Sequence, residues 1–344
     1  MTASAFESAI AAVREACAVT RAVQRDLCTG DVLRKDDRSP VTVADFAAQA
    51  LIARRLASVD PTVVVVGEES ASMLRADDQA GLRRVMFERL RPVWPDVTVD
   101  DALAAIDIGG QEPGRAFWTL DPIDGTKGFM RNGQYAISLA WIVDGRVEFG
   151  ILGCPNLSAD LARPFDDPDP HGLIVHARRG GGCWSIAVDD PASVPQPVRY
   201  EPPPDGMLRL CESAASGHSD QLAVGRVVEA LGGARRYHLD SQAKYAVVAR
   251  GQADCYLRMP VRPDDREYIW DHAPGEIIAV EAGARVSDMH GRPFDFGAGR
   301  RLERNGGILC ASPEWHPRVV AAISAELAGR DRQSAADSRG SFRG

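Results

Sequence analysis

The segment WTLDPIDGTKGF, residues 118–129, carries two carboxylates three positions apart, Asp121 and Asp124. The apolar run over 116–120 predicts a buried strand that ends at these acids. Two carboxylates at one strand end repel each other unless a cation lies between them. Oxygen ligands suit Mg²⁺, which often shares its coordination shell with water and phosphate. The same residue types also occur in capped turns, so the pair alone leaves both interpretations open.

Three further segments place an acid at the edge of an apolar element. Asp45 follows the stretch SPVTVA, Glu68 follows a valine-rich strand and Gly67, and Asp271 precedes a helix that begins near His272. Each acid alone has a structural explanation, as a helix residue, a solvated strand end or an N-cap. The recurrence of the same placement in four segments favours one shared acidic site.

The composition excludes several classes of protein. The 344 residues are 45% hydrophobic and 26% charged, with a net charge of −8, which is typical of a soluble globular chain and gives no basic field for nucleic acid. No apolar run approaches the roughly 20 residues that span a bilayer. The seven cysteines are dispersed without a C-x-x-C pair, which favours reduced thiols and a cytoplasmic location and implies no zinc site.

Lysine is rare in this chain. Of 40 basic residues only Lys35, Lys127 and Lys244 are lysines, and the rest are arginines. Where Arg has replaced Lys so widely, a retained lysine indicates a place that requires a compact ammonium group. Chance retention is the alternative interpretation.

The hydrophobic periodicity and the turn signals predict two α/β subdomains. The first, over 1–160, begins with two helices and a strand and ends with strands near 116–120, 136–143 and 146–152. The second, over 161–329, alternates strands and helices. The segment 330–344 lacks apolar residues and is predicted to be a disordered tail.

Taken together, these motifs resemble the inositol monophosphatase family of magnesium-dependent, lithium-sensitive phosphatases. The general family marks are Gly67-Glu68-Glu69, the DPIDGT string at 121–126 and Trp270-Asp271. Within the family the chain is similar to the 3'(2'),5'-bisphosphate nucleotidase branch. The stretches that carry this second similarity are SPVTVADFAAQ at 39–49, KGF at 127–129, HLDSQAKY at 238–245 and YLRMP at 256–260.

The resemblance implies a metal site and a catalytic pair. Glu68, Asp121, the carbonyl of Ile123 and Thr126 would hold one Mg²⁺, Asp121, Asp124 and Asp271 would hold a second, and Asp45 with Glu68 would share a third, weaker ion. Thr126, hydrogen-bonded to Asp45, would orient and deprotonate the attacking water. The resemblance implies no covalent phospho-enzyme.

The resemblance also implies a fold and a substrate. The fold would be a layered αβαβα sandwich of the α/β (α+β) class, as in inositol monophosphatase and fructose-1,6-bisphosphatase, with metal in the first subdomain and nucleotide in the second. The substrate would be a small nucleotide bisphosphate, 3'-phosphoadenosine 5'-phosphate, bound by a monomer or weak homodimer without nucleic acid or membrane. The implied substrate-binding residues are Gly125, Thr126, His218, Ser241, Lys244, Arg258 and Asp271.

Two alternatives stay open at this point. An inositol monophosphatase-like sugar phosphatase would keep the metal residues, but a monophosphate needs no second phosphate site of the kind that Ser241, Lys244 and Arg258 would form. A non-catalytic metal- or nucleotide-binding protein would be expected to have lost at least one of the acids, and all are present. Pro274 departs from the small residue usual in the family, and proline is tolerated near a helix start.

Overall fold

The structure of the chain, a computed structural model, describes residues 3–27, 32–35, 40–165, 167–202, 206–213 and 219–340. In these residues no helix combines the length and the apolar character that a membrane span requires. The α-helices are α1 (Ala3–Arg25), α2 (Val43–Val59), α3 (Ala80–Leu90), α4 (Val99–Asp107), α5 (Thr126–Met130), α6 (Gln221–Ala230), α7 (Ala243–Ala249), α8 (Ala273–Glu281) and α9 (Trp315–Gly340).

The larger of the two main β-sheets has seven strands that follow one another in chain order. They are β3 (Val65–Gly67), β4 (Ala116–Asp124), β5 (Ala136–Val143), β6 (Arg146–Cys154), β7 (Leu173–Arg178), β8 (Gly182–Ala187) and β9 (Gln196–Val198). Strands β3 and β4 are parallel, and the remaining neighbours are antiparallel. Apolar side chains alternate between the faces, so Phe117 packs on one side while Trp118 and Leu120 pack on the other.

The smaller main sheet has the strand order β11, β10, β12, β14, β13. Its strands are β10 (Arg209–Glu212), β11 (Arg235–His238), β12 (Cys255–Arg258), β13 (Arg285–Ser287) and β14 (Ile308–Ala311). Strand β10 is parallel to both of its neighbours, and the last three strands are antiparallel. A separate two-stranded sheet, β1 (Val32–Arg34) with β2 (Pro40–Thr42), precedes α2.

Three helical layers enclose the two main sheets. Helices α1 and α2 cover the outer face of the larger sheet, where Cys17 and Ile52 join its core. Helices α7 and α8 lie between the sheets, and their residues Tyr245 and Ile277 share one core with side chains of both. Helices α6 and α9 cover the far face of the smaller sheet. The predicted αβαβα sandwich is therefore confirmed.

Several element boundaries differ from the sequence prediction. The first sheet extends to Val198, so the subdomain boundary predicted at 160 falls inside it, because β7 continues the antiparallel ladder of β6 from Cys154↔Leu173 to Phe149↔Arg178. Helix α9 reaches Gly340, although a disordered tail was predicted from 330. Within this helix, at the start of the predicted tail, the Arg330 guanidinium contacts Asp220 and Glu326 at 2.8 and 2.7 Å.

The excursion over 71–115 packs on the outer side of α2. Helices α3 and α4 bury Leu82, Met86 and Ile106 against it. The chain then returns to the edge of β3, where the amide of Gly67 donates to the carbonyl of Gly109 at 2.7 Å. The excursion thus supports the helix and the strand end that carry Asp45 and Glu68.

The middle layer depends on a glycine. A Cβ atom on Gly275 of α8 would lie 2.1 Å from the Tyr245 ring of α7, whereas a Cβ on Gly225 of α6 would meet nothing within 4 Å. We expect Gly275→Ala to lower the free energy of unfolding by about 1–3 kcal/mol through overpacking. Gly225→Ala should be neutral or stabilising by up to about 1 kcal/mol. Urea denaturation of both variants checks this, and equal effects would contradict the packing described.

Candidate active site

A cavity of about 660 Å³ lies where the carboxyl end of β4 meets the second sheet. Both halves of the molecule contribute to its wall. The predicted site residues that line it are Glu68, Asp121, Ile123, Asp124, Gly125, Thr126, Ser241, Lys244, Arg258 and Asp271. Asp45 is buried and is not part of this lining, and His218 lies outside the described residues.

Three of the predicted metal-binding acids converge in the cavity. Asp121, Asp124 and Asp271 each offer a carboxylate oxygen within 4.8 Å of the other two. Asp121 and Asp124 lie within β4, which is longer than predicted, and the β-ladder is irregular between them. This irregularity breaks the strict alternation of side chains and allows both carboxylates to face the cavity. Asp271 arrives from a single 3₁₀ turn, Ile269–Asp271.

The Glu68 carboxylate contacts the ammonium group of Lys35, and a buried side-chain amide holds the backbone of the next residue. Nζ of Lys35 lies 2.6 Å from a carboxylate oxygen of Glu68 and 2.6 Å from one of Glu69. Gln49 of α2 fixes the backbone of the same segment, because its side chain accepts from the Glu69 amide at 3.0 Å and donates to the Glu69 carbonyl at 2.6 Å. Lys35 is one of the rare lysines, and its contact with two acids supports the need for a compact cation there.

No role for Gln49 was predicted from the sequence. A signal for it exists: Asp45 and Gln49 are the polar residues of the otherwise apolar stretch 43–53 and are four residues apart, which places them on one helix face. Both residues are buried. The helix therefore presents its polar side chains to the segment that carries Glu68.

The hydrogen bond expected between Thr126 and Asp45 is not formed. The Thr126 hydroxyl donates to the carbonyl of Ile123 at 3.2 Å. The Asp45 carboxylate accepts from the amide and hydroxyl of Thr42 at 2.8 and 2.7 Å. Thr42 is the N-cap of α2 and Asp45 is the third helical residue, so the two form a capping box. In this structure Asp45 therefore caps the N-terminus of α2, and both hydrogen bonds go to its Oδ2.

Crowding and burial raise the pKa values of the acids. Burial raises the pKa of Asp45 to about 7 and that of Asp124 to about 6, in the second case against the opposing charge of Lys244. Burial, followed by the negative charges around them, raises the pKa values of Asp121 and Asp271 well above the usual range. Desolvation and repulsion thus both disfavour the charged form of each carboxylate.

The donor set fits a hard divalent cation. The cavity wall presents carboxylate oxygens together with the backbone and hydroxyl oxygens of Ile123 and Thr126, and oxygen ligands of this kind suit Mg²⁺, Mn²⁺ or Ca²⁺. A cation among these acids would remove the repulsion that raises their pKa values. Asp121, Asp124 and Asp271 could therefore hold metal, with Glu68 in the same wall, and Glu267, Asp271 and His272 form a second group with ligand atoms within 4.8 Å of one another.

The end of β4, at Asp124 and Gly125, directly contacts the segment after β11, at Ser241 and Gln242. The amide of Gln242 donates to the carboxylate of Asp124. Gly125 has a φ of +86°, and a Cβ there would lie 2.8 Å from the Ser241 side chain. Ser241 itself adopts a left-handed conformation with φ of 71°, which is costly for a non-glycine residue and typical of functional loops. The two halves of the cavity are therefore in direct contact at these residues.

Lys244 and Arg258 bring positive charge to the second half of the cavity. Nζ of Lys244 donates to the carbonyls of Ser241 and Leu239 at 2.7 and 3.1 Å and lies 5.0 Å from the centre of the Tyr256 ring. Burial lowers its pKa, and the charge of Asp124 opposes this effect. Arg258 forms an ion pair with Glu267 at 3.0 Å, a partner that the sequence argument did not identify. Two cations at this wall can attract an anion.

Comparisons with known proteins identify the family and the fold. The sequence profile described as the inositol monophosphatase family matches residues 2–328. A 3'(2'),5'-bisphosphate nucleotidase of Schizosaccharomyces pombe is 38% identical over 335 residues, which cover 92% of this chain and 94% of that protein. A 3',5'-bisphosphate nucleotidase 2 of Arabidopsis thaliana is 34% identical over 338 residues, covering 92% and 96%. The solved IMPase structure of Thermotoga maritima shares the fold, with a TM-score of 0.63 at 18% identity over 94% of this chain and 98% of that one.

The raised pKa values predict a pH dependence for the metal-free protein. A carboxyl with a raised pKa keeps its proton in the folded state at pH values where the unfolded chain has lost it, so stability falls as pH rises. From the values for Asp45 and Asp124, this loss should extend from about pH 4 to about pH 7. Thermal unfolding in chelator should therefore show a lower Tm at pH 7.5 than at pH 5.5, and a divalent cation should restore more stability at the higher pH.

The variant Asp121→Asn distinguishes the destabilisation caused by the crowded carboxylates from a general effect of pH on the stability of the fold. The Asp121 carboxylate accepts from the Ile123 amide at 3.0 Å, a hydrogen bond that the Asn carbonyl can retain. The variant should be more stable than the wild type in chelator at pH 7.5 and should gain less from Mg²⁺. A variant that is less stable in chelator, or that responds to Mg²⁺ like the wild type, would contradict the proposed crowding.

Proposed function

The chain belongs to the inositol monophosphatase family, and on this premise we propose that it is a Mg²⁺-dependent phosphomonoesterase that removes the 3'-phosphate of 3'-phosphoadenosine 5'-phosphate to give AMP and phosphate. The observation that supports this choice of substrate is the placement of Lys244 and Arg258 across one cavity from the cluster of acids. A nucleotide with two phosphates requires two anion sites, and only one of them needs metal.

The residues proposed to hold Mg²⁺ are those implied by the family resemblance. Glu68, Asp121, the Ile123 carbonyl and Thr126 would bind one ion, and Asp121, Asp124 and Asp271 a second. Asp45 and Glu68 would share a third. When bound, Mg²⁺ lowers the pKa of water and neutralises charge on phosphate oxygens.

The other site residues would position the phosphate and the water. Gly125 and Thr126 line the wall beside the acids, where their backbone amides would donate to phosphate oxygens. Thr126 would orient the water, which attacks phosphorus as the bond to the 3'-oxygen breaks. Asp45 would act as the general base for this water. For this role Thr126 would have to leave the Ile123 carbonyl and reach the Asp45 carboxylate, whose Oδ2 already accepts both hydrogen bonds of the helix cap.

The nucleotide half would recognise the 5'-phosphate. Lys244 and Arg258 would neutralise it, and Ser241, with His218, would contact the nucleoside or its phosphates. Lys244 is 3% exposed and is held by two backbone carbonyls. Its ammonium group is thus fixed before substrate arrives, which reduces the entropy lost on binding.

The direct test is phosphate release from 3'-phosphoadenosine 5'-phosphate and from inositol 1-phosphate, each with Mg²⁺ and with or without Li⁺. We expect efficient release from the nucleotide, weak release from the inositol phosphate and inhibition by Li⁺. Preference for the inositol phosphate would leave the metal residues in place and overturn the nucleotide assignment. Inactivity on both substrates would favour a binding protein.

The role of Lys244 can be measured with a substrate that lacks the 5'-phosphate. Lys244→Met should raise KM for 3'-phosphoadenosine 5'-phosphate by roughly tenfold to a hundredfold, because one charge-assisted contact contributes about 1.5–3 kcal/mol. KM for adenosine 3'-monophosphate should change much less. Lys244→Arg should not restore the wild-type value, because the buried site fits a compact ammonium. Equal changes for both substrates would contradict a 5'-phosphate contact.

A further inference from the structure

The acids that could hold metal are carried by segments from different parts of the fold. Glu68 follows β3 at the edge of the larger sheet, while Asp271 ends the 3₁₀ turn Ile269–Asp271 that leads into α8. Their relative position is therefore set by whatever joins the β3 end to this turn. Divalent cations with few protein ligands are sensitive to ligand spacing, because each ligand must reach the ion at nearly fixed distance.

Arg300 joins these two segments. Its guanidinium donates to the carbonyl of Gly67 at 2.7 Å and to the carbonyl of Gln111 at 3.0 Å. The same group lies over the ring of Trp270, 4.9 Å from its centre, and the carbonyl of Arg300 accepts from the amide of Ile269 at 3.1 Å. Arg300 thus contacts the residue before Glu68 and the residue before Asp271.

The chemistry of these contacts requires arginine. The planar guanidinium can donate to two carbonyls at its edge while its face covers an aromatic ring, and a lysine ammonium cannot make both kinds of contact from one position. An ion pair with an acid explains less, since the Glu112 carboxylate lies 3.8 Å from the guanidinium and its side chain is 79% exposed. Exposed pairs of this kind contribute little.

We propose that Arg300 is a positioning residue for the metal site: it fixes the spacing between Glu68 and Asp271, which would hold neighbouring ions that share Asp121, and thereby sets the affinity for divalent cations. The assignment of these acids as metal ligands rests on the proposed function. Loss of a residue that orients metal ligands commonly lowers metal affinity by roughly tenfold to a hundredfold. Arg300 acts through Gly67 and Trp270 and needs no contact with substrate.

Arg301 provides a matched control. Its guanidinium lies 3.8 Å from the centre of the Tyr268 ring and donates to the carbonyl of Arg266 at 2.6 Å and to the Tyr268 hydroxyl at 2.5 Å. Tyr268 stacks on Trp270 with centroids 4.5 Å apart. Arg301 therefore supports the same aromatic pair from the other side, but the contacts described for its side chain all lie in the second half of the molecule and none reaches β3.

The experiment measures Mn²⁺ binding to the full-length protein by electron paramagnetic resonance, without substrate. We expect Arg300→Gln to weaken Mn²⁺ binding roughly tenfold, Arg300→Lys to recover only part of this loss, and Arg301→Gln to bind almost as the wild type does. In assays of phosphate release, Arg300→Gln should need more Mg²⁺ for half-maximal activity. At saturating Mg²⁺ its KM for the nucleotide should return to the wild-type value. Thermal unfolding in chelator reports whether each variant is folded.

Three results would overturn the proposal. They are unchanged Mn²⁺ binding in Arg300→Gln, equal losses in the Arg300 and Arg301 variants, and complete rescue by Arg300→Lys. A failure of the proposed function has a different signature, because the wild type would then bind Mn²⁺ and yet release no phosphate from the nucleotide bisphosphate.

Discussion

Mutual repulsion among buried carboxylates is the constraint that the rest of the structure must satisfy. Asp121, Asp124 and Asp271 place carboxylate oxygens within 4.8 Å of one another, with Asp121 buried and the other two partly buried, and each would be more stable apart or protonated. The fold nevertheless brings them together from one strand of the larger sheet and from the turn that leads into the helical layer between the sheets. A cation that binds among these carboxylates would remove their repulsion. The free energy of unfolding that the metal-free protein loses to this repulsion therefore contributes to the affinity for the cation.

Backbone contacts, more than side-chain packing, hold the acids in place. Gln49 fixes the peptide after Glu68, and the amides of Ile123 and Gln242 fix the carboxylates of Asp121 and Asp124. Such contacts hold a carboxylate at a defined position even when its charge is unfavourable. The approach of Gly125 to Ser241 serves the same purpose, because it brings the segment after Asp124 directly against the segment after β11.

The sequence predicted the layered fold, and it singled out acids that line one cavity, because short motifs such as DPIDGT encode local geometry together with chemistry. It predicted less well where the outcome depends on distant partners. The length of β4 depends on its ladder with β5, which continues past Asp121, and the extent of the larger sheet depends on the pairing of β7 with β6. The hydrogen bond expected between Thr126 and Asp45 was wrong for this structure, because the helix cap of Thr42 competes for the same carboxylate. The contacts of Arg300 with Gly67 and Trp270 could not be predicted from a sequence motif, because one arginine among many carries no local signal.

The scarcity of lysine has a practical consequence for handling the protein. Lys244 is buried and Lys35 is held between two glutamates, whereas the Lys127 side chain is exposed at the rim of the cavity. Amine-directed reagents such as activated esters would therefore modify Lys127 ahead of the other two lysines. Random lysine coupling, which on most proteins decorates many harmless positions, would here place the dye, biotin or resin at the mouth of the candidate active site. Immobilisation through a terminal tag avoids this, and the same selectivity makes Lys127 a natural position for a single reporter group.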